Sequence, residues 1–355
     1  MHSWLQGEWE RRGGGALVFL PLALVFAIAV AIRRLLYAAR MLPKWRAPVA
    51  VVVVGNITVG GTGKTPLVLA IVDLLQRRGW TPGVIARGYG RVPPGEHDPR
   101  GVVRVYPDIA TPELFGDEPV LIARRSRAPV YVSPDRPAAA RALLAAHPEV
   151  DVLVSDDGLQ HYALERDVEI AVVDGERRFG NGLPLPSGPM REPRSRLNTF
   201  DAVVVNGASP AQLEPEVASH PHAFAMHLAS ARFSSLVSNQ ELAPAEFALL
   251  SRGRNVVAIA GIGNPRRFFD HLAALGVHAR SLAFGDHHNY QPAELKLPGA
   301  DVVVMTEKDA VKCAAFADSR MWFLRVEASL PAEFDDFLLT RIAEARRSAN
   351  GSQAA

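Results

Sequence analysis

Short apolar runs rich in β-branched residues recur along the chain with helical stretches between them, at residues 51–54, 83–86, 102–105, 130–133, 152–155, 170–174 and 202–205. Runs this short and apolar on both faces predict a parallel sheet covered by helices on each side. Helices are expected over 66–78, 118–127 and 136–146, with Pro66 and Pro137 in first turns, where a missing N–H breaks no helical bond. After about Ser230 the pattern restarts, with strands at 256–260, 301–305 and 321–326 and a helix at 265–275, which reads as a second, smaller α/β domain. Residues 180–196, GNGLPLPSGPMREPRSR, carry too much proline for regular structure and predict a loop. The expected organisation is an apolar helix with basic flanks in 1–46, a nucleotide-type core in 47–230, a smaller α/β domain closing over it in 231–347, and a disordered polar tail in 348–355.

One apolar stretch does not fit a soluble core. Residues 16–32, ALVFLPLALVFAIAVAI, contain no charge and are bracketed by Arg11 and Arg12 before and by Arg33, Arg34, Arg40, Lys44 and Arg46 after. A cleaved signal peptide, a spanning helix and a helix lying in the interface with its cations on lipid head groups are the membrane readings, and a buried core helix is the alternative. The stretch reaches only about 25 Å at the helical rise, short of a comfortable span. The denser cationic flank follows it, which puts the remainder of the chain on the cytoplasmic side.

Composition changes this picture little. The 355 residues include 48% apolar ones, enough to bury two modest cores. A formal charge of +2 leaves no overall field to recruit nucleic acid. Cys313 is the lone cysteine, so neither an intrachain disulfide nor a cysteine zinc site can form.

The chemistry begins where the 51–54 run ends. Thr58, Val59, Gly60, Gly61, Thr62, Gly63, Lys64 and Thr65 form a glycine loop between a strand and a helix. Glycines let successive N–H groups turn inward on phosphate, a lysine meets the outer phosphates, and the next hydroxyl holds magnesium. The usual pattern has glycine where Thr58 stands, but the Gly-Lys-Thr core is intact. A plain turn has no use for Lys64. The loop therefore predicts ATP, with Mg2+.

Three polar islands supply candidates for the rest of a site. Asp156 and Asp157 follow the 152–155 run, the place for a magnesium carboxylate, with Gln160 and His161 close by. Adjacent carboxylates point apart, so one can take the metal while the other orients a second group. Asp117 and Glu118 open a helix after Gly116, where an acidic first turn suits the dipole and a carboxylate could also act as general base. Asp286, His287 and His288 lie in the second domain, where a histidine could pair with a carboxylate across a cleft, or simply belong to a loop.

The ordered series GNITVGGTGKTP, ARGYGR, FGDEPVLIA, SDDGLQH, LPSGPMREP, FGDHHNY and MTEKDAVK resembles the tetraacyldisaccharide 4′-kinase family. The likeness covers about three quarters of the chain, with small departures at Ser187 and Met190, where alanine and leucine are more usual. It implies a P-loop kinase that moves the ATP γ-phosphate onto the 4′-hydroxyl of a tetraacyl glucosamine disaccharide 1-phosphate, forming lipid IVA in lipid A biosynthesis. It further implies an enzyme at the cytoplasmic face of the bacterial inner membrane, held there by the N-terminal helix. By resemblance Asp117 is the catalytic base paired with His287, and Lys64 serves phosphate. Thr65, Asp156 and Asp157 serve the metal, while His161, Arg136, Arg191 and Glu192 lie at the substrate or behind it. Thr58 in the loop is normal for that family, and Arg87 and Arg91 could meet anionic substrate or solvent. The competing reading is a membrane-associated regulatory ATPase or GTPase of the same fold, which needs the loop and the aspartate pair but no separate base and histidine.

Overall fold

The computed structural model describes residues 7–9, 14–89, 101–238 and 240–353, the side chains of 348–353 excepted. Arg11, Arg12 and Arg91 lie outside the described residues. Helix α1 (Leu20–Ala38) follows a 3-10 turn, and together Gly14–Ala38 are long and apolar enough to cross a membrane. The helix thus runs past the apolar stretch through Arg33 and Arg34, which lengthens the segment beyond the short span expected from 16–32.

Strand β1 (Ala50–Gly55) leads through the glycine loop into α2 (Lys64–Arg77). Then come β2 (Pro82–Ala86), β3 (Val103–Val105), α3 (Asp117–Ser126), β4 (Val130–Val132), α4 (Arg136–Ala146), β5 (Val152–Asp156), β6 (Val168–Asp174) and β7 (Ala202–Asn206). The chain continues with β8 (Ala223–Ser235), β9 (Glu241–Leu242), α5 (Pro244–Ser251), β10 (Val256–Ala260), α6 (Pro265–Ala274) and β11 (Arg280–Ala283). It ends with β12 (Val302–Thr306), α7 (Glu307–Cys313), β13 (Met321–Ser329) and α8 (Ala332–Gln353).

The strands lie in the order β11-β10-β12-β13-β8-β7-β6-β1-β5-β2-β4-β3, with β9 paired to β8. Strand β1 sits between β5 and β6, parallel to both, so its loop emerges at the centre of the sheet. Its valines alternate, Val52 and Val54 entering one core and Val51 and Val53 the other, which is the burial on both faces that the unbroken apolar run required.

Three features differ from the sequence expectations. The 102–105 run is not a further parallel strand: β3 pairs antiparallel with β4 at the sheet edge. The boundary at residue 230 falls inside β8, whose first part runs parallel to β7 and whose remainder pairs antiparallel with β13. One long strand therefore carries the sheet from one half of the chain into the other. The tail expected from Ser348 begins within α8, which continues through Gln353. That helix returns to the first half, where Phe334, Leu338 and Ile342, spaced one helical turn apart, are buried against Val52, Val168 and Ile170.

Candidate active site

Parallel strands present their carboxyl ends on one side of a sheet, and ligands of open α/β sheets bind there. That edge carries the glycine loop after β1, Asp156 and Asp157 at the end of β5, Asp174 at the end of β6 and Asn206 at the end of β7. From the second half it carries Gly261–Asn264 after β10, Asp286 and His287 after β11, and Lys308 after β12. A cleft of about 400 Å³ between the halves is lined by Gly61, Gly63, Lys64 and Thr65 on one side and by Gly263, Asp286 and Lys308 on the other.

The loop's shape is set by its glycines. Gly63 has φ +97°, and a Cβ there would lie 2.5 Å from Asn206 Nδ2, which donates to the Thr62 carbonyl at 3.1 Å. Asn56 Nδ2 reaches the Gly60 carbonyl and Thr62 Oγ1, both at 3.4 Å, while Val59 N–H donates to the Pro189 carbonyl at 2.9 Å. Thr58 is buried and forms an isolated antiparallel bridge with Met190. Arg177 fastens the loop to the second half: anchored on Asp174, it donates to the carbonyls of Gly61 and of Gly263. Neither Arg177 nor Asn206 carried a signal in the sequence beyond standing next to a strand end.

Behind the loop the two adjacent aspartates diverge as expected. Asp157, held at φ +47°, pairs with Arg191 at 3.2 Å and with Lys64 at 3.6 Å. Burial alone would raise its pKa, but Lys64 and Arg191 hold the carboxyl well below the usual range. Asp156 is 3% exposed, and its Oδ1 has no hydrogen-bond partner. Burial, with the nearby charges of Glu118 and Asp157, pushes its pKa up to about 7. Arg136 is completely buried and donates to the Ser133 and Asp156 carbonyls at 2.7 and 3.0 Å, so it braces the end of β5 and meets no open surface. His161 is pushed down to about 3 by burial and by Arg136, which keeps it neutral. Glu192 is also buried: it accepts from Gln160 at 2.8 Å and Arg196 at 3.2 Å and lies 3.7 Å from Arg34, tying the loop after β6 to α1. Tyr37 packs on Tyr162 beside it, with ring centroids 5.7 Å apart.

The remaining islands meet across the cleft. Gly116 (φ +87°) brings the backbone so close to Tyr89 that a Cβ would lie 2.9 Å from the Tyr89 carbonyl, and this turn sets Asp117 at the start of α3. Asp117 is 6% exposed; its Oδ2 accepts from His287 Nδ1 at 3.1 Å and lies 3.6 Å from Lys308 Nζ. His287, at φ +58°, stands on the second half, with its ring 5.2 Å from that of Tyr89. Burial would raise the Asp117 pKa, yet the His287 hydrogen bond and the Lys308 charge hold it far below the ordinary carboxylate value. His287 moves the other way: burial opposes its charge, but the bond to Asp117 raises its pKa.

A nucleotide cradle, a buried carboxylate with an unpaired oxygen and a separate carboxylate-histidine pair define a P-loop phosphotransferase. Residues 15–343 match the family described as Tetraacyldisaccharide-1-P 4'-kinase. The chain belongs to that family. It is 43% identical over 345 residues to a tetraacyldisaccharide 4'-kinase of Methylobacillus flagellatus, covering 96% of each chain, and 46% identical over 339 residues to one of Bordetella petrii, covering 94% of each. Among solved structures, the apo form LpxK from Aquifex aeolicus in complex with ATP superposes with a TM-score of 0.74 at 26% identity, over 92% of this chain and 99% of that one.

Proposed function

We propose that the chain transfers the γ-phosphate of ATP to the 4′-hydroxyl of a tetraacyl disaccharide 1-phosphate, with Asp117 as proton acceptor. The observation that carries this reading is the Asp117–His287 pair: it is built from both halves of the molecule, and its neighbours Glu118, Asp286 and Lys308 line the cleft that the glycine loop also lines. A regulatory ATPase of the same fold has no need of it. The Aquifex aeolicus relative holds ATP, which supports ATP as the donor here.

In this reading the loop N–H groups and Lys64 bind the phosphates, with Lys64 exchanging Asp157 for the nucleotide. The 4′-oxygen bonds to the γ-phosphorus as the bond to the β,γ-bridging oxygen breaks, ADP leaves, and the hydroxyl proton passes to Asp117. A carboxylate of low pKa is a weak base, but phosphoryl transfer is loose and the alcohol holds its proton until late, so availability outweighs basicity. His287 donates through Nδ1 and fixes the carboxylate's orientation. The unpartnered Asp156 oxygen and the Thr65 hydroxyl fit magnesium, a hard cation that takes few protein oxygens and shares phosphate. Among the described residues no group of three or more His, Cys, Asp or Glu could hold a metal unaided, as that sharing requires. When bound, magnesium would offset the charge of the phosphate oxygens. Asp157, paired with Lys64 in the free protein and with Arg191, is then left to Arg191 rather than to the metal.

The lipid would arrive along the 3-10 turn and α1, where Leu17 and Val18 of the turn and Leu24, Val25, Ile28 and Leu35 of the helix are exposed, and the far end carries Arg33 and Arg34. This arrangement suits a membrane surface, with the catalytic domain on the cytoplasmic face. Incubation with ATP, magnesium and detergent-dispersed disaccharide 1-phosphate lipid should add one phosphate to the lipid by mass. ATP consumption that the lipid leaves unchanged, with no phosphorylated lipid, would reject the kinase reading in favour of the ATPase.

A further inference from the structure

Lys308 begins in the second half of the molecule, in the first turn of α7, and ends against the first. Its Nζ lies 3.1 Å from Glu118 Oε1, 3.6 Å from Asp117 Oδ2, 3.6 Å from Asp286 Oδ1 and 3.5 Å from His287 Nε2. The side chain is 17% exposed. A cation in a first helical turn runs against the helix dipole, and a largely buried ammonium is costly unless it is paired. A structural ion pair would need one carboxylate, whereas three converge here, two of them from the opposite side of the cleft.

The contact with His287 carries further chemical information. An ammonium has donors only, so a ring nitrogen facing it must offer a lone pair. In the neutral ring, Lys308 at Nε2 favours the tautomer whose proton sits on Nδ1, the atom aimed at Asp117. One side chain thus touches both members of the pair and selects the histidine tautomer that orients the carboxylate.

We propose that Lys308 is a positioning residue for the proton acceptor: by drawing Asp117, Glu118 and Asp286 onto one ammonium, it assembles the Asp117–His287 pair across the cleft and fixes the histidine's protonated nitrogen. This rests on the reading of Asp117 as the acceptor. The charged groups facing Asp117 are Glu118 from its own helix, Asp286 and His287 from the loop after β11, and Lys308 and Lys312 from α7. Lys312 is already paired with Asp309 at 2.8 Å. Removing the Lys308 ammonium leaves carboxylates as the majority, and the acid limb of the kcat/KM profile moves toward neutral pH.

The test uses the full chain with Lys308→Met, Lys308→Gln and Lys308→Arg, alone and in an Asp117→Asn background. The Met and Gln variants should lose about 10²-fold in kcat while KM for ATP changes by less than about threefold. Their acid limb should rise by about one pH unit, and Lys308→Arg should restore the limb and part of the rate. In the Asp117→Asn background the Met substitution should cost less than about threefold more, because both act through one group. Melting curves and nucleotide binding verify folding, and the Gln variant carries the test if the Met variant does not fold. An unmoved acid limb in a folded neutral variant, or a loss that adds in full to that of Asp117→Asn, overturns the proposal. Full activity of Asp117→Asn alone would instead overturn the reading beneath it.

Discussion

Asp156 and Asp117 are the same side chain at nearly the same burial, 3% and 6% exposed, yet they have opposite electrostatic fates. Asp156 ends a strand with one oxygen unpartnered, and burial beside Glu118 and Asp157 raises its pKa to about 7. Asp117 opens a helix, and the same burial penalty is overcome by His287 and Lys308 from the other half of the molecule. The missing partner is the difference. Around Asp117 the protein supplies the cation itself, by folding the second half of the chain against it. Around Asp156 the charges of Lys64 and Arg136 do not offset burial and the carboxylates of Glu118 and Asp157, so the group remains short of a positive charge until one arrives with the nucleotide. In the proposed mechanism the first carboxylate is ready for proton transfer in the free protein, and the second for binding a cation.

The largest expected effect separates these roles. Asp117→Asn keeps the shape but removes the proposed proton acceptor, so kcat should fall by roughly 10²- to 10³-fold while affinity for ATP with magnesium stays within about threefold. Asp156→Asn should instead weaken magnesium-dependent ATP binding. Initial rates together with titration calorimetry on both variants check the contrast. Equal losses of affinity in the two would dissolve the distinction.

A smaller effect appears without any ligand. If Asp156 is held in the fold at a cost, then Asp156→Asn should stabilise the metal-free protein at pH 8 by roughly 1–3 kcal/mol, against the usual trend for buried substitutions. Thermal melts in chelator measure it. The same variant should lose the rise in melting temperature that ATP with magnesium gives the parent. A variant less stable than the parent in chelator would mean that Lys64 and Arg136 already satisfy Asp156, and its case for a metal would lapse.

How far the sequence could see follows the same division. The glycine loop, the aspartates after β5 and the polar island at Asp117 were legible because each is a local pattern at the end of an apolar run. The pairing of Asp117 with His287 was open to the residues alone and came from the resemblance, since 170 positions separate the two. Lys308 lay in the MTEKDAVK stretch, which entered only as part of the resemblance, and nothing local says that its ammonium crosses a cleft. The edge direction of β3 was equally hidden, because a three-residue apolar strand looks the same either way round. The shared strand β8 was missed for another reason: it alternates between half-buried and buried at 223–226, is exposed to half-buried at 227–232 and is buried at 233–235, as its neighbour changes from β7 to β13. Helix α8 had a readable stripe at Phe334, Leu338 and Ile342, but the stripe does not say which core it joins.

The smallest effect sharpens the comparison from the acid side. Asp117 has a depressed pKa in the fold, so its ionised form contributes stability that is complete above the unfolded carboxylate value near 4 and is lost as pH falls below it. Asparagine at that position has no proton to gain. Between pH 4 and pH 2.5 the parent should therefore lose about 1 kcal/mol more stability than Asp117→Asn, read from urea melts at each pH. Asp157 is depressed as well, by Lys64 and Arg191, but it is present in both proteins and cancels in the difference. Asp156 is protonated in the fold but titrates near 4 in the unfolded chain; it too is present in both proteins and cancels in the difference. Parallel loss in the two proteins would mean that Asp117 is no more ionised in the fold than in the unfolded chain, and that the second half of the chain does not supply its charge.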